Sequence, residues 1–204
     1  MFLEVTGLTV VFGKTRALDS LCLSLDAGSI VVLRGENGSG KSTFLWAISG
    51  LLLPTAGEIR FSARGGTPRI GLLAHQSFLY EDMTVLENLV LTARLNYLSD
   101  PIDRSRRLLD QLGLDEQADK RVCTLSRGQI QRAAFARAVL PEPEVLLLDE
   151  PFSNMDDAAS AQVCRALESL RSSDRLILVA THDRHARLPG PIREVHIRSG
   201  KILE

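Results

Sequence analysis

The chain lacks any apolar run of the roughly 18 residues that a bilayer-spanning helix needs, so no segment reads as a membrane span. It also lacks excess charge of either sign: over 204 residues the formal net is −1. A nucleic-acid binder needs a basic field, and the near-balance sets that class aside. Lysine is scarce, at four residues, and arginine supplies the remaining basic charge, which is a habit of composition. The first residues, Met1-Phe2-Leu3-Glu4-Val5, lack the charged-then-apolar pattern of a secretory leader, which predicts a cytosolic protein. Cysteine is rare too. Cys22, Cys123 and Cys164 are odd in number, far apart and in apolar neighbourhoods, which predicts buried structural thiols rather than disulfides or metal ligands. There is no internal repeat and no low-complexity tract.

What is present is a complete phosphate-binding loop. Residues 35–43 read Gly-Glu-Asn-Gly-Ser-Gly-Lys-Ser-Thr, with Gly35, Gly40, Lys41 and Ser42 filling the template of Gly, four free positions and Gly-Lys-Ser/Thr. Ile30 to Leu33 reads as a buried strand before it, and Thr43 to Ser49 as a helix after it, stopping at Gly50. In that setting, backbone N–H groups turn toward phosphate oxygens and the helix N-terminus adds positive potential. Lys41 can reach the β- and γ-phosphates, and the Ser42 hydroxyl can ligate Mg²⁺.

The rest of the chain reads as α/β. Residues 2–12 and Leu21–Leu25 look like strands with one solvated face. Fully apolar runs at 30–33, 145–148 and 176–180 suit strands covered on both faces of a parallel sheet. Between about 76 and 140 the signals are almost all helical. Thr84 and Glu87 form a capping box. Asp100-Pro101 reads as an N-cap with an N1 proline, and Ser126 opens a helix that runs to Pro141. The expected fold is a single domain, 1–204. Its core is a mainly parallel sheet with flanking helices, built from 1–75 and 141–204, with an N-terminal antiparallel β subdomain. The helical subdomain 76–140 is inserted into it.

Two further clusters carry chemistry. Val145 to Glu150 is an apolar strand ending in two carboxylates, and strand ends on this edge of a parallel sheet face the ligand crevice. Asp149 would hold the Mg²⁺ shell and Glu150 would polarise an attacking water; the plain alternative is a pair of solvated acids. Leu125-Ser126-Arg127-Gly128-Gln129 is at least a capping box made by Ser126 and Gln129. Gly128 in a first helical turn costs about 1 kcal/mol relative to alanine, which makes sense if a ligand approaches the backbone there. That helix start is itself an anion site, and with no second phosphate loop in the chain, its phosphate would belong to another subunit.

Taken in order, these motifs resemble the nucleotide-binding subunit of an ABC transporter. The resemblance spans the phosphate loop, the Leu125–Gln129 signature, the Val145–Glu150 strand, Pro151 to Asp156, and Thr181-His182-Asp183. It implies ATP and Mg²⁺ as cofactors. The residues it assigns to ATP are Gly35, Glu36, Asn37, Gly38, Ser39, Gly40, Lys41, Ser42 and Thr43, with Ser126, Gly128, Gln129 and Asp156 acting across a dimer interface. Phe12 matches the aromatic that stacks on adenine, where the family more often has tyrosine. Gln76 matches the glutamine that touches Mg²⁺ and the attacking water, with His75 as rival because the following loop is a residue short. His182 matches the switch histidine at the γ-phosphate. His185 makes a two-histidine metal site conceivable, although no third ligand is evident. The signature departs from the family pattern at Arg127, where glycine is usual.

The resemblance thus implies an ATPase that closes as a dimer around two ATP molecules. Its mate is a second copy or a homologous ATPase. It drives an integral-membrane permease from the inner face of the cell membrane, with no nucleic-acid partner. The segment Ala74 to Leu89 resembles the small ATPases of cytochrome c maturation, described as haem exporters, although no Cys-x-x-Cys-His or axial ligand pair is present. The alternative is a soluble, non-transport ABC ATPase.

Overall fold

A computed structural model describes residues 2–62, 66–183 and 188–203. Two sheets form the framework. The smaller is antiparallel: β1 (Leu3–Phe12) lies between β2 (Thr15–Leu25) and β4 (Ala56–Phe61). The larger also includes β3 (Ile30–Arg34), β5 (Ile70–Leu73), β6 (Val145–Asp149), β7 (Leu176–Ala180), β8 (Ile192–Arg198) and β9 (Lys201–Leu203), in the order β5-β6-β7-β3-β8-β9. Its pairings are parallel except for β8 with β9.

The three apolar runs become β3, β6 and β7, and every one of their residues is buried. Because successive side chains in a strand point to opposite faces, each run feeds two cores. Ile30, Val32, Leu146, Leu148, Ile177 and Val179 enter one, with the helices α2 (Val85–Leu95), α3 (Pro101–Gln111), α4 (Arg127–Val139) and α5 (Asp157–Leu170). Val31, Leu33, Val145, Leu147, Leu176 and Leu178 enter the other, shared with α1 (Lys41–Ser49) and the small sheet. The sheet therefore lies between two apolar layers, which pins its register and fixes the loops at the strand ends.

Three of the helices, α2, α4 and α5, start at a side-chain cap. Thr84 and Glu87 do form the reciprocal box at the start of α2, and Ser126 and Gln129 form one at α4. Asp156 caps α5 by accepting from the Ala159 N–H at 2.8 Å. Asp100 departs from expectation. It stands before Pro101 as anticipated, but its φ is +50° and its side chain makes no capping bond. Proline disfavours the α region for the residue before it, and an aspartate tolerates the left-handed region better than most.

The cysteine expectation fails. Cys22 and Cys123 are exposed and Cys164 is half-buried, and none of the three forms a disulfide. On β2 the inward places belong to Leu21, Leu23 and Leu25, so the two-residue period turns Cys22 outward. No helix among the described residues is long and apolar enough to cross a membrane.

Candidate functional site

The phosphate loop joins the C-terminal end of β3 to the start of α1. Gly40 occupies the N-cap of α1 with φ +109°, a conformation that a side chain would strain. A Cβ there would also stand 2.7 Å from the Ala17 carbonyl oxygen. Lys41 is buried, and its ammonium donates to the carbonyls of Gly35 at 2.8 Å and Glu36 at 3.0 Å. The Ser39 hydroxyl is buried without a hydrogen-bond partner among the described residues. An unsatisfied hydroxyl beside a folded-back lysine is what a phosphate-accepting loop provides, since burying such groups unpaired is costly.

A cavity of about 480 Å³ opens over this loop. Asn37, Gly38, Gly40, Lys41, Ser42 and Thr43 line it, facing Asp149, Glu150 and His182. Three strand ends thus converge, those of β3, β6 and β7. Asp149 is buried at the end of β6, and burial raises its pKa while a hydrogen bond with Ser42 and the charge of Lys41 oppose the rise. Its oxygen and that of Ser42 are paired hard donors, the set a divalent cation takes.

Glu150 has φ +48°, an uncommon state for a residue with a side chain. Its carboxylate is held by the segment after β7. Thr181 Oγ1 donates to Oε2 at 2.9 Å, the His182 N–H donates to Oε1 at 2.9 Å, and His182 Nδ1 lies 2.7 Å from that same oxygen. The buried Arg34 holds the far side of this segment, donating to Glu194 Oε1 and to the Asp183 carbonyl. His185 lies outside the described residues.

Several expected residues stand elsewhere. Gln76 is exposed and does not line the cavity, whereas its neighbour His75 does and acts electrostatically on Asp149. Phe12, 50% exposed at the end of β1, is also outside the lining, as are Gly35 and Glu36, which border a neighbouring hollow with Arg34 and Glu194. Ser126, Gly128, Gln129 and Asp156 do not line this chain's cavity. Ala17, Ser153 and Asn154 do; Ser153 and Asn154 belong to the Pro151–Asp156 stretch but had been given no role, and Ala17 lies outside every motif.

The glycine in the signature has an internal cause. A Cβ on Gly128 would stand 2.6 Å from the Asn154 carbonyl oxygen. The first turn of α4 therefore packs directly on the loop after β6. Arg127, the first residue of α4, is exposed.

Compared with known proteins, residues 18–153 match the family described as ABC transporter. The chain belongs to the ABC transporter family. It holds that family's ATP-binding domain. It is 37% identical over 215 residues to a sulfate/thiosulfate import ATP-binding protein, CysA, of Bordetella pertussis, covering 99% of this chain. The chain spans 61% of that relative's length. It is 38% identical to a phosphonates import ATP-binding protein, PhnC 1, of Rhodopseudomonas palustris, over 92% of this chain and 75% of that one. The dimeric structure of MJ0796, a bacterial ABC transporter cassette, superposes with a TM-score of 0.89 at 26% identity, covering 99% of this chain and 97% of that one. The same cassette is known as a dimer in a post-hydrolysis state bound to ADP and Pi, with a TM-score of 0.88 at 27% identity.

Proposed function

We propose that this chain is the ATP-hydrolysing subunit of a membrane transporter and works as a two-fold dimer. Each ATP is held between the phosphate loop of one copy and the signature helix of the other. One observation carries this reading: the signature residues are absent from the cavity over their own phosphate loop. Yet the Ser126 box pairs only the N–H groups of Ser126 and Gln129, so the first turn of the helix keeps donors for an anion. A second copy brings the two halves together by a closed symmetry, which is the commonest way identical subunits assemble.

Within such a site the parts divide the work. Lys41, the unpaired Ser39 hydroxyl and the amides at the start of α1 take the phosphates. Ser42 and Asp149 would hold Mg²⁺, which supplies charge neutralisation on the phosphates. Phe12 offers an exposed ring face for the base. Asp156 lies at the dimer seam while it caps α5. His75, rather than Gln76, is the side chain nearer the metal and water. Glu150 is the general base. Its carboxylate is engaged by Thr181 and His182, so it becomes free to polarise water when His182 turns from Oε1 to the γ-phosphate. Opening of the dimer after hydrolysis then moves the helical segment 76–140, treated as an inserted subdomain.

The membrane partner is a permease docking on the apolar groove between α2 and α3, about 370 Å³ and lined by Met83, Leu86, Val90, Leu91 and Ile102. Exposed Phe78 and Tyr80 lie in the chain just before it. The chain is then peripheral on the inner membrane face. Import is the direction adopted, because the named relatives are import ATP-binding proteins. The haem-export resemblance rests on residues 74–89 alone. Replacing Glu150 with Gln, which keeps shape and removes the base, is expected to yield an ATP-dependent dimer with turnover abolished, measured by sedimentation. A variant that stays monomeric with ATP, or hydrolyses it freely, overturns the scheme.

A further inference from the structure

The side chain of Gln131 donates from Nε2 to the backbone carbonyl of Glu150 at 3.1 Å. Gln131 lies three residues after Gly128, so both share one face of α4. That face meets the loop 150–155 twice: at Gly128, where the Asn154 carbonyl fills the place of a Cβ, and one turn later at Gln131. The Glu150 carbonyl also accepts from the Ser153 N–H at 3.1 Å, and the Glu150 N–H donates to Ala180 at 2.8 Å. Glu150 therefore sits in the left-handed region with its peptide anchored on two sides, by β7 and by the signature helix. A strained backbone persists only where its surroundings over-determine it, and among the described residues Gln131 is the one side chain from outside the loop that bonds the Glu150 backbone.

We propose that Gln131 is a positioning residue for the catalytic carboxylate, linking the signature helix to Glu150 of the same subunit. Resting on the dimer reading, this means that the helix which meets the mate's ATP also sets the aim of its own chain's base. The two ATP sites are then joined through one hydrogen bond in each copy.

The test uses the whole chain and ATP with Mg²⁺. Gln131→Met and Gln131→Glu remove the donor while keeping the length, and Gln131→His restores a ring N–H at comparable reach. We expect kcat to fall about tenfold to a hundredfold in the first two, the cost of a catalytic group misplaced by about an ångström. ATP affinity should stay within about twofold, because uniform binding is untouched. Gln131→His should recover most of the loss. In a Glu150→Gln background, Gln131→Met should leave the ATP-trapped dimer intact. Wild-type kcat in the Met and Glu variants overturns the proposal. So does a matching loss of trapped dimer or thermal stability, which would make the side chain merely structural. If Glu150→Gln alone never dimerises, the dimer reading fails, while Gln131 is still judged on the kcat split.

Discussion

Gly128→Ala separates two explanations of one residue. If the glycine serves a ligand, the apoprotein should gain from alanine, which favours a helix by about 1 kcal/mol over glycine. The structure says otherwise. The new Cβ would stand 2.6 Å from the Asn154 carbonyl oxygen, against 3.4 Å or more for ordinary contact, so the backbone must retreat by about 0.8 Å. Overpacking of this kind costs about 1–3 kcal/mol, enough to cancel the helical gain and exceed it. We expect a net loss of about 1 kcal/mol, or a Tm lower by about 2–4 °C for a chain of this size. Calorimetry without nucleotide is the decisive assay. ATP turnover should fall as well, since Asn154 lines the cavity and shares a short loop with Glu150. A nucleotide-free Tm that rises, with turnover unchanged, refutes the reasoning.

Other predictions follow from single features. Thr84→Ala removes the α2 cap and should cost about 1 kcal/mol without altering ATP affinity, read from denaturant midpoints. Glu87 has its pKa lowered, chiefly by the backbone N–H of Thr84. The stability it adds is therefore present above the ordinary carboxylate pKa and lost as pH falls through the depressed one. Glu87→Gln keeps the bond and deletes the titration, so a Tm–pH comparison should show the wild type losing more stability than the variant over that acid window. Phe135, fully buried in α4, should cost about 3–5 kcal/mol as Phe135→Ala, which urea unfolding will show. Arg127→Ala should weaken the ATP-trapped dimer of a Glu150→Gln background about tenfold at low salt and less at high salt, since an exposed cation acts through a screened field.

Where the sequence was legible, the cause was local or strongly periodic. Three unbroken apolar runs announced β3, β6 and β7, and the boxes at Thr84 and Ser126 needed only residues three apart. β5 is less visible because Gly71 interrupts it. That glycine answers to a distant neighbour, as its Cβ would stand 2.2 Å from the Ala138 carbonyl oxygen. β8 sets Val195 and Ile197 among polar residues, and five of its seven residues are exposed. Within the site, Lys41, Ser42 and Glu150 followed from motif and strand end. Ala17, Asn154 and Gln131 did not, because their roles arise from contacts between elements far apart in the chain. Cys22 shows the converse error: an apolar neighbourhood in sequence says little when the strand period turns every second residue outward.

The central claim is that each active site is assembled from two chains, and subunit mixing tests it directly. Lys41→Ala spoils only a phosphate loop and Ser126→Arg spoils only a signature helix, so either variant alone should be inactive. Mixed in equal amounts, they should recover about a quarter of the wild-type rate, because random pairing in a two-fold dimer gives half heterodimers, each with one intact site. A mixture that stays as inactive as its separate components contradicts the account.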